Sequence, residues 1–138
     1  MKNLFFPFLI VLILGCEGKC DDLTERIING SGRKIEITSY KNYYPNIPFG
    51  TFSKKNLIEN NAFIERRSKS CPPSIETVSI GQLVEGDSIV IDFGDKKLRY
   101  GNKDLSSRRN PYYLSLYFLY SGNFVYNITE DDYANALP

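Results

Sequence analysis

The residues of this chain that could carry chemistry are cysteines and paired carboxylates, because none of its 138 residues is histidine. Histidine is the commonest general base near neutral pH, so its absence excludes Ser-His-Asp and Cys-His catalytic sites. Paired carboxylates can act as they do in glycosidases. Here Asp21 and Asp22 fall in a predicted tether, and Asp131 and Asp132 fall at a predicted helix start. We therefore predict no catalytic residues and a protein that is not an enzyme.

The sequence also offers no set of metal or cofactor ligands. Its cysteines are Cys16, Cys20 and Cys71, which lack Cys-x-x-Cys spacing and have no histidine to complete a zinc site. Glycine-rich phosphate loops and the Asp-rich calcium loop are absent from the sequence. We predict no metal and no cofactor.

The N-terminus has the pattern of a secretory signal. Lys2 precedes eleven uncharged, mostly apolar residues at positions 4–14. As a helix this run would be about 16 Å long at about 1.5 Å per residue, roughly half of a 30 Å hydrocarbon core. The run is too short for a permanent transmembrane helix, so residues 1–15 are predicted to be a signal peptide.

The signal ends in Ile13, Leu14, Gly15 and Cys16, which resembles the lipobox of bacterial lipoproteins. The resemblance implies cleavage before Cys16 and attachment of three acyl chains, with a thioether lipid on the Cys16 sulfur. Each buried methylene contributes about 0.8 kcal/mol, so several chains anchor a protein stably to a membrane. The alternative is that Cys16 is an ordinary cysteine behind an ordinary secretory signal.

Residues 16–22 are polar and lack periodicity, which predicts a lipidated cysteine followed by a flexible tether. Acidic residues close behind Cys16 resemble an export signal of Gram-negative lipoproteins. This resemblance implies that the protein is anchored in the bacterial outer membrane and faces the cell surface, with a periplasm-facing location as the alternative.

Cys20 and Cys71 remain as a possible disulfide, which would stabilise the fold by about 4 kcal/mol because it closes a loop of about 50 residues. Alternatively, Cys20 lies in a tether too mobile to pair.

A period-two pattern follows the tether, and its clearest part is a β-hairpin. Residues 88–93 and 96–100 flank Gly94 and Asp95, which predicts a two-residue turn. This register puts apolar partners on one face and the opposite charges of Asp92 and Lys97 on the other. The inward pairs are Ile91 with Leu98 and Ile89 with Tyr100, and the outward pairs are Asp92 with Lys97 and Val90 with Arg99.

A second hairpin is predicted from residues 25–28 to residues 34–38 across 29–32, with Ile35 and Ile37 inward. The only predicted helix spans residues 130–137, capped by Thr129, with Tyr133 and Leu137 on one face. The further predicted strands are 56–66, 77–80, 113–120 and 123–128, the last with Phe124, Tyr126 and Ile128 on one face.

These elements predict the fold class. Short strands separated by turns, in a chain long enough for one core, favour an all-β, antiparallel, immunoglobulin-like β-sandwich. We predict this domain over residues 23–138, with a short C-terminal helix that closes one end.

Two segments, residues 27–41 and 124–136, resemble small lipoproteins of Gram-negative bacteria that share a closing Thr-acidic-acidic-Asp-Tyr motif. In this chain the motif runs from Thr129 to Tyr133. The resemblance supports the predicted fold and location, and it implies no activity, ligand or catalytic residue.

Charge and aromatic content bear on the partners. Loss of residues 1–15 removes Lys2 and leaves 16 basic and 16 acidic residues. The mature chain therefore lacks the excess of basic residues that a nucleic-acid binder needs, and no nucleic-acid partner is predicted.

Tyrosine side chains suit binding surfaces, because each offers an apolar face and a polar tip. Tyr40, Tyr43 and Tyr44 therefore form a possible binding loop for a protein or a glycan. The alternative is that these tyrosines cover the edge of a small core.

Three functional hypotheses remain open. The first is a membrane-anchored, non-catalytic surface module that binds a protein or glycan. The second is a structural envelope lipoprotein that supports a larger assembly, and the third is a hydrolase. In addition, Asp87, Ser88 and Ile89 resemble a bacterial O-glycosylation acceptor, for which ordinary turn chemistry is the alternative explanation.

Overall fold

The computed structural model describes residues 19–42, 50–71, 78–115 and 122–138, so the predicted signal peptide, Cys16, Tyr43 and Tyr44 lie outside it. The described chain is mostly β, in two sheets that form a sandwich. Its elements are β1 (Asp21–Gly30), β2 (Ile35–Lys41), β3 (Thr51–Ile58), β4 (Phe63–Ser70), α1 (Ile80–Val84), β5 (Ser88–Asp92), β6 (Lys97–Gly101), α2 (Pro111–Ser115), β7 (Asn123–Thr129) and α3 (Glu130–Ala134).

One sheet has the strand order β4-β1-β7 and the other β3-β2-β5-β6. All adjacent pairs are antiparallel except β1 with β7, which run parallel. The all-β sandwich is therefore confirmed, whereas the prediction of a purely antiparallel arrangement is wrong at this pair. β1 is the central strand of its sheet.

Apolar side chains alternate along the strands and meet between the two sheets. The predicted inward positions Ile35 and Ile37 are 1% and 0% exposed, which confirms them. Burial of each such side chain is worth about 1.5–3 kcal/mol. Residues that also fill this core include Ile27, Ile58, Ile89, Ile91, Phe124, Tyr126 and Ile128, the last five as predicted.

The β5–β6 hairpin has the predicted register at all four pairs. Asp92 and Lys97 form an outward ion pair at 2.9 Å. Gly94 has φ of 101°, a left-handed conformation that glycine adopts without steric penalty. The local alternation of residues was sufficient to predict this register because the two strands are joined by a two-residue turn.

The predicted hairpin between residues 25–28 and 34–38 is wrong. Both strands exist, but β1 and β2 lie in different sheets, so the chain between them crosses the sandwich. Buried Asn29 holds this crossing, because its Nδ2 donates to the carbonyl oxygens of Arg33 at 2.7 Å, Ile58 at 3.0 Å and Glu59 at 3.1 Å. The two strands therefore pack face to face instead of edge to edge.

Residues 56–66 are not one strand. β3 ends at Ile58 and β4 begins at Phe63 in the other sheet, with Asn61 at φ of 61° in the turn between them. Asparagine tolerates this left-handed conformation better than most residues do. At this turn the chain therefore crosses from one sheet to the other, as it does between β1 and β2.

The described parts of two predicted strands include residues of short helices. In the predicted strand 77–80, Ile80 is the first residue of α1, and residue 77 is outside the described chain. In the predicted strand 113–120, Tyr113 lies in α2, and residues 116–120 are outside the described chain. α2 begins with Pro111, whose fixed φ suits a first helical position. Helices of five residues bury too few positions to show a helical period in the sequence.

The C-terminal helix is shorter than predicted. Thr129 caps α3 as expected, but the helix ends at Ala134. Leu137 forms a β-bridge with Lys97 and is 72% exposed, so it does not share a helix face with Tyr133.

The structure joins Cys20 to Cys71 in a disulfide, so Cys20 is not a mobile tether residue. β1 begins at Asp21, whose partner in β4 is Ser70. Consequently Asp21 and Asp22, the last two residues of the predicted tether, belong to the sandwich.

Asn29 provides a test of the crossing. The Asn29→Ala substitution leaves buried carbonyl groups without a donor, and we expect the free energy of unfolding to fall by about 2–3 kcal/mol. The matched control is Asn127→Ala, whose side chain is exposed on β7 and should change stability by less than about 0.5 kcal/mol. Urea unfolding of the two variants measures the difference, and equal losses would contradict this role of Asn29.

Candidate functional site: a polar groove beside helix α1

α1 lies over one open edge of the sandwich. Its Ile80, Leu83 and Val84 are buried, and the Ser39 hydroxyl donates to the Val84 carbonyl oxygen at 2.6 Å. The helix ends at Glu85, which has φ of 58°. The next residue, Gly86, packs so closely that a Cβ there would lie 2.7 Å from the Tyr40 carbonyl oxygen. α1 is therefore fixed against the end of β2.

A buried carboxylate ties α1 to the centre of the other sheet. Glu25, on the inward face of β1, is only 1% exposed. Its Oε1 accepts from the Ser79 backbone N–H at 2.7 Å, and its Oε2 accepts from Arg66 Nη1 at 3.1 Å. The same Arg66 nitrogen donates to Gln82 Oε1 on α1. The Glu25 side chain is buried whereas Arg66 is about a third exposed, so removal of Arg66 would leave a buried carboxylate without its cationic partner.

Arg66 lines a surface groove of about 520 Å³ that we call the α1 groove. Its size falls in the range of small-molecule sites, which is about 300–1,000 Å³. A second depression shares Arg66, Gln82 and Glu85 with it and continues towards Lys41 at the end of β2. The α1 groove is lined by Lys54, Asn56, Ile64, Glu65, Arg66, Gln82, Leu83 and Glu85.

One wall of the groove carries a hydrogen-bond donor without a protein partner. Asn56 Nδ2 is buried, and the part of the chain that the structure describes offers it no acceptor. Buried donors are usually paired, and an exception calls for an explanation. Other atoms of Asn56 line the groove, and Nδ2 itself is shielded from solvent, so a ligand acceptor would reach this donor only after the Asn56 side chain turns towards the groove.

The charges around the groove balance one another. The two connected depressions contain three basic and three acidic side chains: Lys41, Lys54, Arg66, Glu65, Glu85 and Asp87. A hydrogen bond from Lys54 holds the pKa of Glu85 below its usual range. Hydrogen bonds from Arg26 and Arg67 do the same for the pKa of Glu65. Both carboxylates are therefore ionised at neutral pH, and the groove favours a polar ligand without net charge.

The groove is equipped for recognition by hydrogen bonds. Among residues 19–42, 50–71, 78–115 and 122–138, no cluster of three or more possible ligands could hold a metal ion. The described groove residues place donors and acceptors side by side, and they supply neither a histidine base nor a cysteine nucleophile.

The predicted binding loop is placed only at its first residue. Tyr40 lies half-buried on β2, opposite Phe52 of β3, on the face away from the core. Phe52 is 59% exposed and adds an aromatic surface that the sequence prediction did not include. Residues 43–49, with Tyr43 and Tyr44, are outside the described chain and join Asn42 of the second depression to β3.

The C-terminal motif is bound into the fold. Thr129 and Asp132 form a capping box, in which each side chain accepts from the other residue's backbone N–H. Asp132 is buried and also accepts from two nitrogens of Arg109, at 3.1 Å and 2.5 Å. The Tyr126 hydroxyl donates to the Arg109 carbonyl oxygen at 3.0 Å, and burial raises the pKa of Tyr126. Asp132 thus belongs to the helix cap, as the sequence suggested.

Tyr133, the last residue of the motif, closes the β5–β6 hairpin. Its hydroxyl donates to Asp95 at 2.7 Å, and its ring meets Phe93 edge to face at 5.5 Å. The Arg33 guanidinium lies 3.3 Å from the ring centroid. The motif therefore joins the crossing, the hairpin and the C-terminus at one end of the sandwich.

Ser88 is a poor glycosylation acceptor in this fold. It is 5% exposed, and its hydroxyl oxygen is buried. A glycosyltransferase needs an accessible hydroxyl, so turn chemistry is the better explanation of residues 87–89.

Glu25, Arg66 and Asn56 were not predicted from the sequence as site residues. One signal was present, because the alternation of Leu23, Glu25 and Ile27 places a carboxylate on the inward face of β1. An inward carboxylate requires a cationic partner and predicts a polar site nearby. The partner itself could not be read from local spacing.

Comparison with known proteins gives no match to a protein-family model, a curated protein or a solved structure. In the described ranges, helices are too short or too polar to span a bilayer.

Asp132 provides a test of the C-terminal motif. The Asp132→Ala substitution removes the capping box and the partner of Arg109, and we expect a loss of about 2 kcal/mol in the free energy of unfolding. Asp131→Ala is the control, because this exposed neighbour contributes only through the helix dipole, about 0.3–1 kcal/mol. Thermal or urea unfolding compares them, and a larger loss for Asp131→Ala would refute the assignment.

Proposed function

We propose that this chain is a membrane-anchored bacterial lipoprotein whose sandwich is a non-catalytic surface module that binds a glycan in the α1 groove. The α1 groove carries the proposal, because Asn56, which lines it beside Arg66 and Gln82, holds a side-chain donor without an acceptor in the described chain. Sugar hydroxyls both donate and accept hydrogen bonds, which suits a groove with balanced charge. A protein segment that places a backbone carbonyl against Asn56 is the competing ligand.

The anchor is supported by the sequence. The short apolar run at positions 4–14 ends at the lipobox-like residues before Cys16, and the sandwich begins soon after at Asp21. With Cys16 acylated, Cys20 and Cys71 remain to form the disulfide, as in many envelope proteins. The similarity to small Gram-negative lipoproteins favours the outer membrane, with the domain facing the cell surface.

Within the sandwich class we propose a relative of the immunoglobulin-like fold. The division of the described strands into sheets of three and four matches a constant-type domain. The membership of the sheets differs, since β1, β4 and β7 form the smaller sheet here. The proposed relationship is therefore one of architecture and not of strand order.

Lipid attachment is tested on the mature protein. We expect mass spectrometry of the N-terminal peptide to show Cys16 with diacylglycerol and an amide-linked acyl chain. Cys16→Ala should move the protein from the membrane fraction to the soluble envelope fraction, because no acyl chain remains to bind lipid. An unmodified cysteine at the mature N-terminus would rule out the anchor, and so would membrane retention of a Cys16→Ala chain from which residues 1–15 have been removed.

Groove binding is tested with Asn56→Ala, which removes the unpaired donor. Loss of an unsatisfied buried group is neutral or stabilising, so the free energy of unfolding should not fall by more than about 0.5 kcal/mol. Binding on glycan and protein arrays should nevertheless weaken by about tenfold, equivalent to one hydrogen bond of about 1.4 kcal/mol.

The matched control is Lys55→Ala, the preceding residue, which lies exposed on the opposite face of β3. It should leave array binding unchanged. Glycan binding that is equal in Asn56→Ala and the unmodified domain would reject the groove as the site. Binding only to proteins would replace the glycan with a protein ligand.

A further inference from the structure

The strands of both sheets run between the same two ends of the sandwich. One end, the distal end, carries the crossing at residues 31–34, the turn at residues 59–62 and α3. At the same end, a β-bridge joins Lys97 of β6 to Leu137, which follows α3. β1 and β3 both end at the distal end, so both begin at the opposite end, which we call the proximal end.

The disulfide fixes how far the proximal end can move from the predicted anchor. Cys20 is bonded to Cys71, directly after the end of β4. The four residue steps from Cys16 to Cys20 span at most about 14 Å. Without the disulfide, the first residues of β1 could separate from β4 and lengthen this connection.

We infer that the proximal end, with exposed Phe52 and Leu105, faces the lipid surface, and that the distal end points away from it. This orientation rests on the proposed acylation of Cys16. β1 has ten residues, which at about 3.3 Å per residue separates the two ends by about 30 Å. This length exceeds the reach of the tether, so the domain lacks the slack to turn over while its proximal end stays anchored.

The proximal end carries exposed charges of both signs, including Lys19, Lys41, Asp21 and Asp22. Attraction to anionic lipid is therefore not required, and the short tether supplies the orientation. The α1 groove opens at the side, between β3 and β4, and stays accessible to a glycan on the same cell surface.

The absence of tryptophan from the sequence makes the orientation measurable. Phe52→Trp and Leu137→Trp place single probes at the proximal and distal ends, on side chains that are 59% and 72% exposed. Each full-length, lipidated variant is reconstituted into phosphatidylcholine vesicles that contain dansyl-labelled lipid. We expect energy transfer from the Phe52→Trp probe to be several-fold more efficient than from the Leu137→Trp probe.

A control variant of each probe carries about ten Gly and Ser residues inserted between Gly18 and Lys19, which gives a flexible tether. The difference in energy transfer should shrink in this control. Equal transfer from the two probes with the natural tether, or an undiminished difference after the insertion, would overturn the inference. A chain that fails to float with vesicles would overturn the lipid anchor as well, so the two failures are distinguishable.

Discussion

The burial of one carboxylate constrains much of this structure. Glu25 lies on the inward face of the central strand of its sheet, where an unpaired charge would be prohibitively costly. Arg66 comes from β4 and the Ser79 amide from the start of α1 to satisfy it. The charge thereby places a short helix beside β1 and aligns an arginine with the α1 groove. A polar residue in the core thus links the fold to its candidate site.

The sequence predicted those parts of the fold that depend on neighbours in the chain. The β5–β6 register followed from alternation across a two-residue turn, and the cap of α3 followed from Thr129. The pairing of β1 with β2 failed because alternation tells which face of a strand is buried and not whether the next strand lies beside it or across from it. The parallel β1–β7 pair depends on residues about a hundred positions apart, such as Thr24 and Asn123, which no local pattern connects.

The candidate site was less predictable than the fold. Asn56, Arg66 and Gln82 come from β3, β4 and α1, and none of these residue types is unusual in a surface strand or helix. Aromatic content instead drew attention to Tyr40, which the structure places on the outer face. The C-terminal motif, whose acidic residues could suggest chemistry, contacts Arg109 and the β5–β6 hairpin as a structural clasp. Polar residues at inward positions were the more informative signal.

The tie between Glu25 and α1 is tested most directly by native-state hydrogen exchange of one amide. The Ser79 N–H lies outside any helix or strand, yet it donates to a buried carboxylate at 2.7 Å. The Ser106 N–H is the internal comparison, since it faces the Asp104 carboxylate at 3.4 Å in an exposed loop. We expect the Ser79 amide to exchange as slowly as that of Ile27 in β1, through global opening, and the Ser106 amide to exchange rapidly. Exchange of Ser79 at the rate of Ser106 would contradict the central role of Glu25.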